Sequence, residues 1–264
     1  MGDPLQRKEE PPSNQLTWVE LQDSLKKRVV LEDDFLWAVP SQESCMEGSD
    51  RKEKLQYIGG VDISFSKDDP DIACGALVIL NIDGLNVVYD DFAVVKPETA
   101  YVPGFLAFRE APILLGLLEK LKQSDLPFYP QLLMVDGNGI LHPRGFGIAC
   151  HLGVLANIPT IGVGKNLHHV DGLTISGVKQ LFEAKTNGGD NNLVTLTGNS
   201  GSILGVAMRS SRESLKPIFI SVGHRVSLET AIKAVKMCCK YRVPEPIRQA
   251  DIRSRAFLQK HSGI

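Results

Sequence analysis

Apolar and polar positions alternate or cluster along the chain in a way that separates a strand-rich first half from a mixed second half. Tyr57-Ile58-Gly59-Gly60-Val61-Asp62-Ile63-Ser64-Phe65 is a β-type run. Aromatic and β-branched residues suit a pleated backbone, and the paired glycines admit a close neighbour. A strand is expected over 56–65, followed by strands at 73–81 and 85–95 joined by the hairpin signal Asp83-Gly84. Helical periodicity then predicts helices over 104–122 and 144–156, flanking a strand at 131–136, with a short strand at 159–163. Paired strands at 193–197 and 202–209, another at 217–222, a helix over 228–241 capped by Ser227, and a helix over 246–260 with Pro246 in its first turn complete the pattern. Hairpins first and helix–strand alternation afterwards imply an α/β fold with a central mixed sheet flanked by helices.

The ends of the chain read differently. Residues 1–14 (MGDPLQRKEEPPSN) are charged and proline-rich with little to bury, which predicts disorder. A helix should follow, capped by Thr17 with Glu20 three residues on, its apolar stripe being Trp18, Leu21, Leu25 and Val29. The polar stretch 40–54 then makes 15–54 an N-terminal helical extension and linker on a single domain over 55–260. At 264 residues and 43% apolar, the chain can bury one good core. No apolar run approaches the ~18 residues of a membrane span, and the N-terminus does not resemble a secretory signal, so a soluble protein of cytoplasm and nucleus is expected. Five cysteines without CxxC spacing fit reduced thiols better than a disulfide frame or a zinc site. With a net charge of −2, any polyanionic partner must be met by local clusters. Residues 240–260 supply one such cluster, in Lys240, Arg242, Arg248, Arg253, Arg255 and Lys260, either as a phosphate-facing surface or as an ordinary solvated face.

The informative anomalies are carboxylates on apolar faces. Asp62 interrupts the first strand, and Asp136 ends the run Leu132-Leu133-Met134-Val135 just before Gly137-Asn138-Gly139. Ionised carboxylates leave water only when paired or metal-bound. Glu110 shares a helical stripe with Leu106, Ile113, Leu114, Leu117 and Leu121, as a core-facing acid or as a boundary residue paired with Arg109. Asp251 lies among Ile247, Ser254 and Leu258, with a salt bridge to Arg248 or Arg255 as its other explanation. Acids on separate elements converging at one sheet edge are what hydrolysis of a phosphodiester by Mg²⁺ requires. An aspartyl-phosphate mechanism would place a second Asp at position 64, which is Ser, and the glycines after Asp136 come too late in the chain for a dinucleotide fingerprint.

The strings GGVDISF, AYVPGFLAFRE, LMVDGNGILHPRGFGIACHLGV, IGVGK and ISVGHRVS, in this order over about 55–255, resemble the endonuclease V family, its animal members in particular. The resemblance implies an RNase H-like fold and a nuclease dependent on Mg²⁺, with Mn²⁺ as a substitute. Such an enzyme cuts at the second phosphodiester bond 3′ to inosine, leaving a 3′-OH and a 5′-phosphate. By position it implies that Asp62, Glu110 and Asp136 are catalytic metal ligands, that His224 in GHRVS is the active-site histidine, and that Lys165 in IGVGK contacts the scissile phosphate or orients water. Asp251 is a candidate additional acid. Tyr101 and Pro103 match the family's wedge, with Ala100 where bacterial members usually carry proline. Hypoxanthine lacks guanine's 2-amino group, so a tight wall of Gly104, Gly137, Gly139, Gly162 and Gly164, with Asn138 and His142 as polar partners, would discriminate the base. Each glycine is otherwise a tight-turn residue. The implied substrate is inosine-containing single-stranded RNA met by a monomer; the alternatives are a deoxyinosine-specific DNA repair endonuclease and a protein that binds inosine RNA without cutting it.

Overall fold

The antiparallel strands expected between residues 56 and 95 form one half of an eight-stranded sheet. A computed structural model describes residues 12–40, 53–97, 99, 102–184, 192–211 and 216–261. In chain order the elements are α1 (Pro12–Lys26), β1 (Trp37–Ala38), β2 (Glu53–Lys54), β3 (Tyr57–Phe65), β4 (Ala73–Asn81), β5 (Asn86–Val95), α2 (Leu106–Gln123), β6 (Leu132–Asp136), α3 (Ile148–Ala156), β7 (Thr160–Gly164), α4 (Ile175–Ala184), β8 (Leu193–Thr197), β9 (Ile203–Met208), β10 (Ile218–His224), α5 (Leu228–Cys238) and α6 (Glu245–His261). The large sheet runs β5-β4-β3-β6-β7-β10-β9-β8. β3, β4 and β5 are antiparallel neighbours, β6 and β7 add parallel to β3, and β10, β9 and β8 extend the far side antiparallel. This is an α/β, RNase H-like arrangement with a longer second edge.

Side chains alternate between two helix-covered faces. Ile58, Val78, Met134 and Ile161 pack under α5 and α6 with Ala231, Val235, Ile247 and Ala250. Val61, Leu77, Leu133 and Val135 pack on the opposite face under α2 and α3 with Ala111, Leu114 and Leu152. The approach of α6 to β3 is close because Gly60 has no side chain: a Cβ there would lie 2.1 Å from the Pro246 carbonyl. Arg253 of α6 pairs with Asp90 on β5, Arg255 with Asp251, and Arg248 with Glu245. The basic cluster of residues 240–260 is thus largely engaged within the fold.

Several details differ from the sequence expectation. α1 begins at Pro12, so Thr17 lies inside the helix and is not its cap, and residues 12–14 are helical; residues 1–11 and 41–52 lie outside the described residues. The buried stripe of α1 uses Gln22, 1% exposed, in place of Leu21, 46% exposed, because 18, 22, 25 and 29 follow the helical repeat better. Trp18 stacks on Phe108 at 5.1 Å, and Leu25 packs with Phe146, Cys150 and Val154. Unexpected elements are α4, whose buried Val178 and Phe182 cover β8 and β9, and the two-residue parallel ladder β1–β2. Among the described residues no helix is long and apolar enough to cross a membrane.

Replacing Gly60 with Ala forces α6 off the sheet and should lower the unfolding free energy by about 1–3 kcal/mol in urea titrations. Gly59→Ala should cost less, because the nearest obstacle there is the Leu133 side-chain tip, which can move.

Candidate active site

The register of β3 on β6 pairs Val61 with Val135, so Asp62 and Asp136 follow side by side where that parallel ladder ends, Asp136 as the last residue of β6 and Asp62 within β3. Asp62 stands two residues after Gly60, on the face covered by α6. It is 7% exposed, and its carboxyl is pushed up to about 8 by burial, then by the charge of Asp136 and a hydrogen bond shared with it, and least by Asp251; Lys165 pulls the other way. Ser64 Oγ donates to Asp62 Oδ2 at 3.3 Å and lies 2.7 Å from Ser254 Oγ of α6. The Lys165 ammonium, one residue past β7, donates to Asp136 Oδ2 at 2.5 Å. Burial alone would lower its pKa, but the Asp136 carboxylate overrides this and holds it above the ordinary lysine value.

Asp62, Asp136, Lys165 and Asp251 line one cavity of about 760 Å³, with Ser64, Lys67 and Arg255 around them. Asp251 pairs with Arg255 at 2.6 Å, as the salt-bridge reading expects, and it lines the same cavity as the carboxylate pair. Glu110 approaches from α2 on the other face. Its carboxyl is raised to about 7 by burial, against the pull of Arg109 and with a push from Asp136. Among the described residues no three His, Cys, Asp or Glu side chains already form a closed metal cage. The donors that do converge are carboxylate oxygens, crowded enough to resist joint ionisation, and this set suits a hard divalent cation whose charge would relieve their repulsion.

A second, smaller cavity of about 210 Å³ opens between the start of α2 and the start of α3. It is lined by Pro103, Gly104, Gly137, Asn138, His142 and His168, with Gln22 at its rear. The loop after β6 is pinned from below, since Gly139 N–H donates to Ser221 Oγ at 2.9 Å and Ile140 N–H to the Val222 carbonyl at 2.8 Å. Gly137, at φ +148°, makes the turn that leads from Asp136 into this loop. The Asn138 amide oxygen is buried with no hydrogen-bond partner. His142 accepts at Nδ1 from Arg144 N–H at 3.2 Å and is pushed down to about 4, chiefly by burial and then by neighbouring cations. Its neutral ring carries the proton on Nε2.

Gln22 holds this cavity shut at the back. Its Nε2 donates to the carbonyls of Gly104 at 3.2 Å and Phe146 at 3.1 Å, while its Oε1 accepts from Arg144 Nε. One buried amide on α1 thereby ties together both walls. Sequence reading missed it because a glutamine on a terminal helix carries no chemical signal; the available clue was its place on the 18-22-25-29 repeat. His168, Ser64 and Ser254 were missed for similar reasons.

Two expectations need correction, and a third falls outside the described residues. His224 is not with the carboxylates: β10 runs antiparallel to β7, and His224 pairs with Thr160 at the start of β7 while Lys165 lies past its end. There it accepts at Nδ1 from Val30 N–H at 3.2 Å, and burial and Arg225 push it down to about 4. Gly139 and Gly162 do not line the base-sized cavity. A Cβ on Gly139 would meet the Val222 carbonyl at 1.9 Å and one on Gly162 would meet Gly139 N at 2.3 Å, so both serve close backbone packing, and Gly164 likewise backs onto Asn138. Tyr101 and Ala100 of the expected wedge lie outside the described residues.

A family model described as Endonuclease V matches residues 41–252. The chain belongs to the endonuclease V family. It is accordingly an enzyme that cuts nucleic-acid strands internally. Endonuclease V of Mus musculus is 46% identical over 257 residues, covering 97% of this chain and 73% of the relative, and that of Homo sapiens is 45% identical over 256 residues, covering 96% and 87%. The crystal structure of the catalytic domain of human endonuclease V superposes with a TM-score of 0.85 at 42% identity, covering 96% of this chain and 99% of that one. An endonuclease V variant from Ciona intestinalis, in complex with a 23-mer DNA containing an inosine followed by a ribo-adenosine, gives 0.83 at 34% identity, covering 96% and 100%. Gln22 and α1 precede the matched family region.

Two measurements follow from this geometry. Gln22→Leu strands the buried Phe146 carbonyl and the part-buried Gly104 carbonyl, which should cost about 1–3 kcal/mol and speed hydrogen exchange of the backbone around Gly104 and Phe146 while β3 and β6 stay protected. A carboxyl raised in the folded state favours folding below its ordinary pKa of 3.8 and loses that benefit as pH climbs through about 8. Asp62→Asn should therefore melt like the wild type near pH 4 and above it near pH 8, by roughly a few kcal/mol, and added Mg²⁺ should raise the melting temperature of the wild type alone.

Proposed function

We propose that this member of the endonuclease V family hydrolyses inosine-containing single-stranded RNA at the second phosphodiester bond 3′ to inosine, leaving a 3′-OH and a 5′-phosphate. The observation that carries the reading is the Asp62–Asp136 pair with Lys165 at hydrogen-bond distance, beside a separate cavity of the size of a base. Asp62 and Asp136, with Glu110 from the opposite face and Asp251 from α6, would hold Mg²⁺, with Mn²⁺ as a substitute. When bound, the ion supplies Lewis-acid polarisation of the phosphoryl oxygen and acidifies the attacking water.

The chain's own groups supply the rest. Lys165 stays protonated and presents positive charge next to Asp136, where a phosphate would sit. His142 offers Nε2–H to an exocyclic oxygen such as O6 of hypoxanthine, and Asn138 lines the same cavity. Gly104 and Gly137 leave the wall bare of side chains. Pro103 stands at the mouth of this cavity, and Tyr101 is proposed to stack beside it. The base cavity lies on the α2–α3 side of the sheet and the carboxylates on the α6 side, so a bound strand must turn round the sheet edge. A flexible single strand does this more cheaply than a duplex, whose persistence length is about 150 base pairs.

The second reading, a DNA repair activity, is favoured by the neighbouring complex with inosine-containing DNA; the ribo-adenosine in that strand supports a role for ribose next to the inosine. Matched single strands carrying inosine, guanosine or adenosine, with ribose or deoxyribose at that and the following nucleotide, distinguish the readings in single-turnover assays. Inosine RNA should be cut fastest, with guanosine at least about tenfold slower. Asp62→Ala should lose on the order of a thousandfold in rate while still binding the strand. Equal cutting of adenosine and inosine would remove the base assignment; preference for the all-deoxy strand would establish the DNA reading.

A further inference from the structure

Lys165 belongs to two cavities. Besides the carboxylate site it borders a groove of about 610 Å³ that leads away between α4 and the β9–β10 edge. Its rim carries Lys165, Lys179, Arg209, Lys216 and Arg242, and among the described residues Glu183 is the acid in its wall. Glu183 lies 3.8 Å from Lys179 with both side chains well exposed, so that pair neutralises little. Arg242 spends its donors on the carbonyls of Lys165, Lys216 and Pro217, at 2.8 to 3.1 Å, leaving its charge uncancelled by them. The floor is apolar: Phe182 lies beneath the Arg209 guanidinium at 4.3 Å, and Ile175 is 55% exposed.

We propose that this groove is a second nucleic-acid site, which holds an unpaired flank of the substrate strand as it leaves the carboxylates. The inference rests on the nuclease reading above and adds residues that, Lys165 apart, take no part in the chemistry. A cationic rim over an apolar floor matches a strand whose phosphates are anionic and whose bases present flat apolar faces. Continuity through Lys165 selects nucleic acid over an acidic peptide, because the strand cut at Asp62 and Asp136 must pass that ammonium. Neither α4 nor Arg209 had been singled out by the sequence pattern.

The test uses the full chain and two variants, Lys179→Glu, an exposed change, and Arg209→Ala. Each is assayed with a long inosine oligonucleotide and with versions trimmed to roughly four nucleotides on one side or the other of the cleaved bond. On the long strand KM should rise by about tenfold with kcat nearly unchanged, and the dependence of log K on log salt should become shallower by about 0.7 per lost charge. On the strand trimmed on the flank that the groove holds, variants and wild type should coincide. Equal losses on every length, or no loss on the long strand, would overturn the proposal. Anisotropy titration of an inosine-free strand under non-cleaving conditions keeps the two readings apart: if the wild type shows no inosine preference but the variants still weaken binding to that strand in a length-dependent way, the groove survives and the inosine reading fails. Binding of a fluorescent polyglutamate peptide that the groove variants weaken and the oligonucleotide fails to displace would overturn the proposal and assign the groove to an acidic polypeptide instead.

Discussion

Two carboxylates forced together in a poorly solvated place determine how the rest of this molecule is arranged. Asp62 and Asp136 meet because two parallel strands bring consecutive register positions to one edge, and the low exposure of Asp62 makes its ionisation unfavourable. Left alone, that arrangement would destabilise the fold at neutral pH. Lys165 offsets part of the repulsion from the end of β7, Ser64 and Ser254 donate or share hydrogen bonds from the side, and α6 closes over the pair because Gly60 lets its backbone approach. The strain is tolerated where chemistry needs it: acids that resist holding their charge together are poised to bind a cation.

The site is divided by the sheet itself. The carboxylates lie under α6, while the base-sized cavity lies between the starts of α2 and α3, anchored to β10 through Ser221 and Val222. The two cavities therefore draw on different helices and different faces. Glu110 is the residue that bridges them, since it stands on α2 yet feels the charge of Asp136.

Much of this was legible in the chain. β-branched runs marked β3, β4 and β5, Asp83-Gly84 marked their hairpin, and the acids at 62 and 136 stood out because an apolar strand has no ordinary use for them. What failed did so for definable reasons. A strand-end histidine looks the same whichever way its strand runs, and only the antiparallel pairing of β10 with β7 sends His224 to the far edge. Gly139 and Gly162 look like a ligand-hugging wall, but whether a glycine faces a ligand or another strand depends on register that sequence does not display. α4 was overlooked although its buried residues, Val178 and Phe182, keep helical spacing.

The Gln22 tie joins segments separated by 82 and 124 positions in the chain, and it does so from a helix that lies ahead of the matched family region. The two cavities thereby have different origins along the polypeptide. A product trimmed by a protease between α1 and β3 would keep the strands that carry Asp62 and Asp136 yet lose the brace behind the smaller cavity.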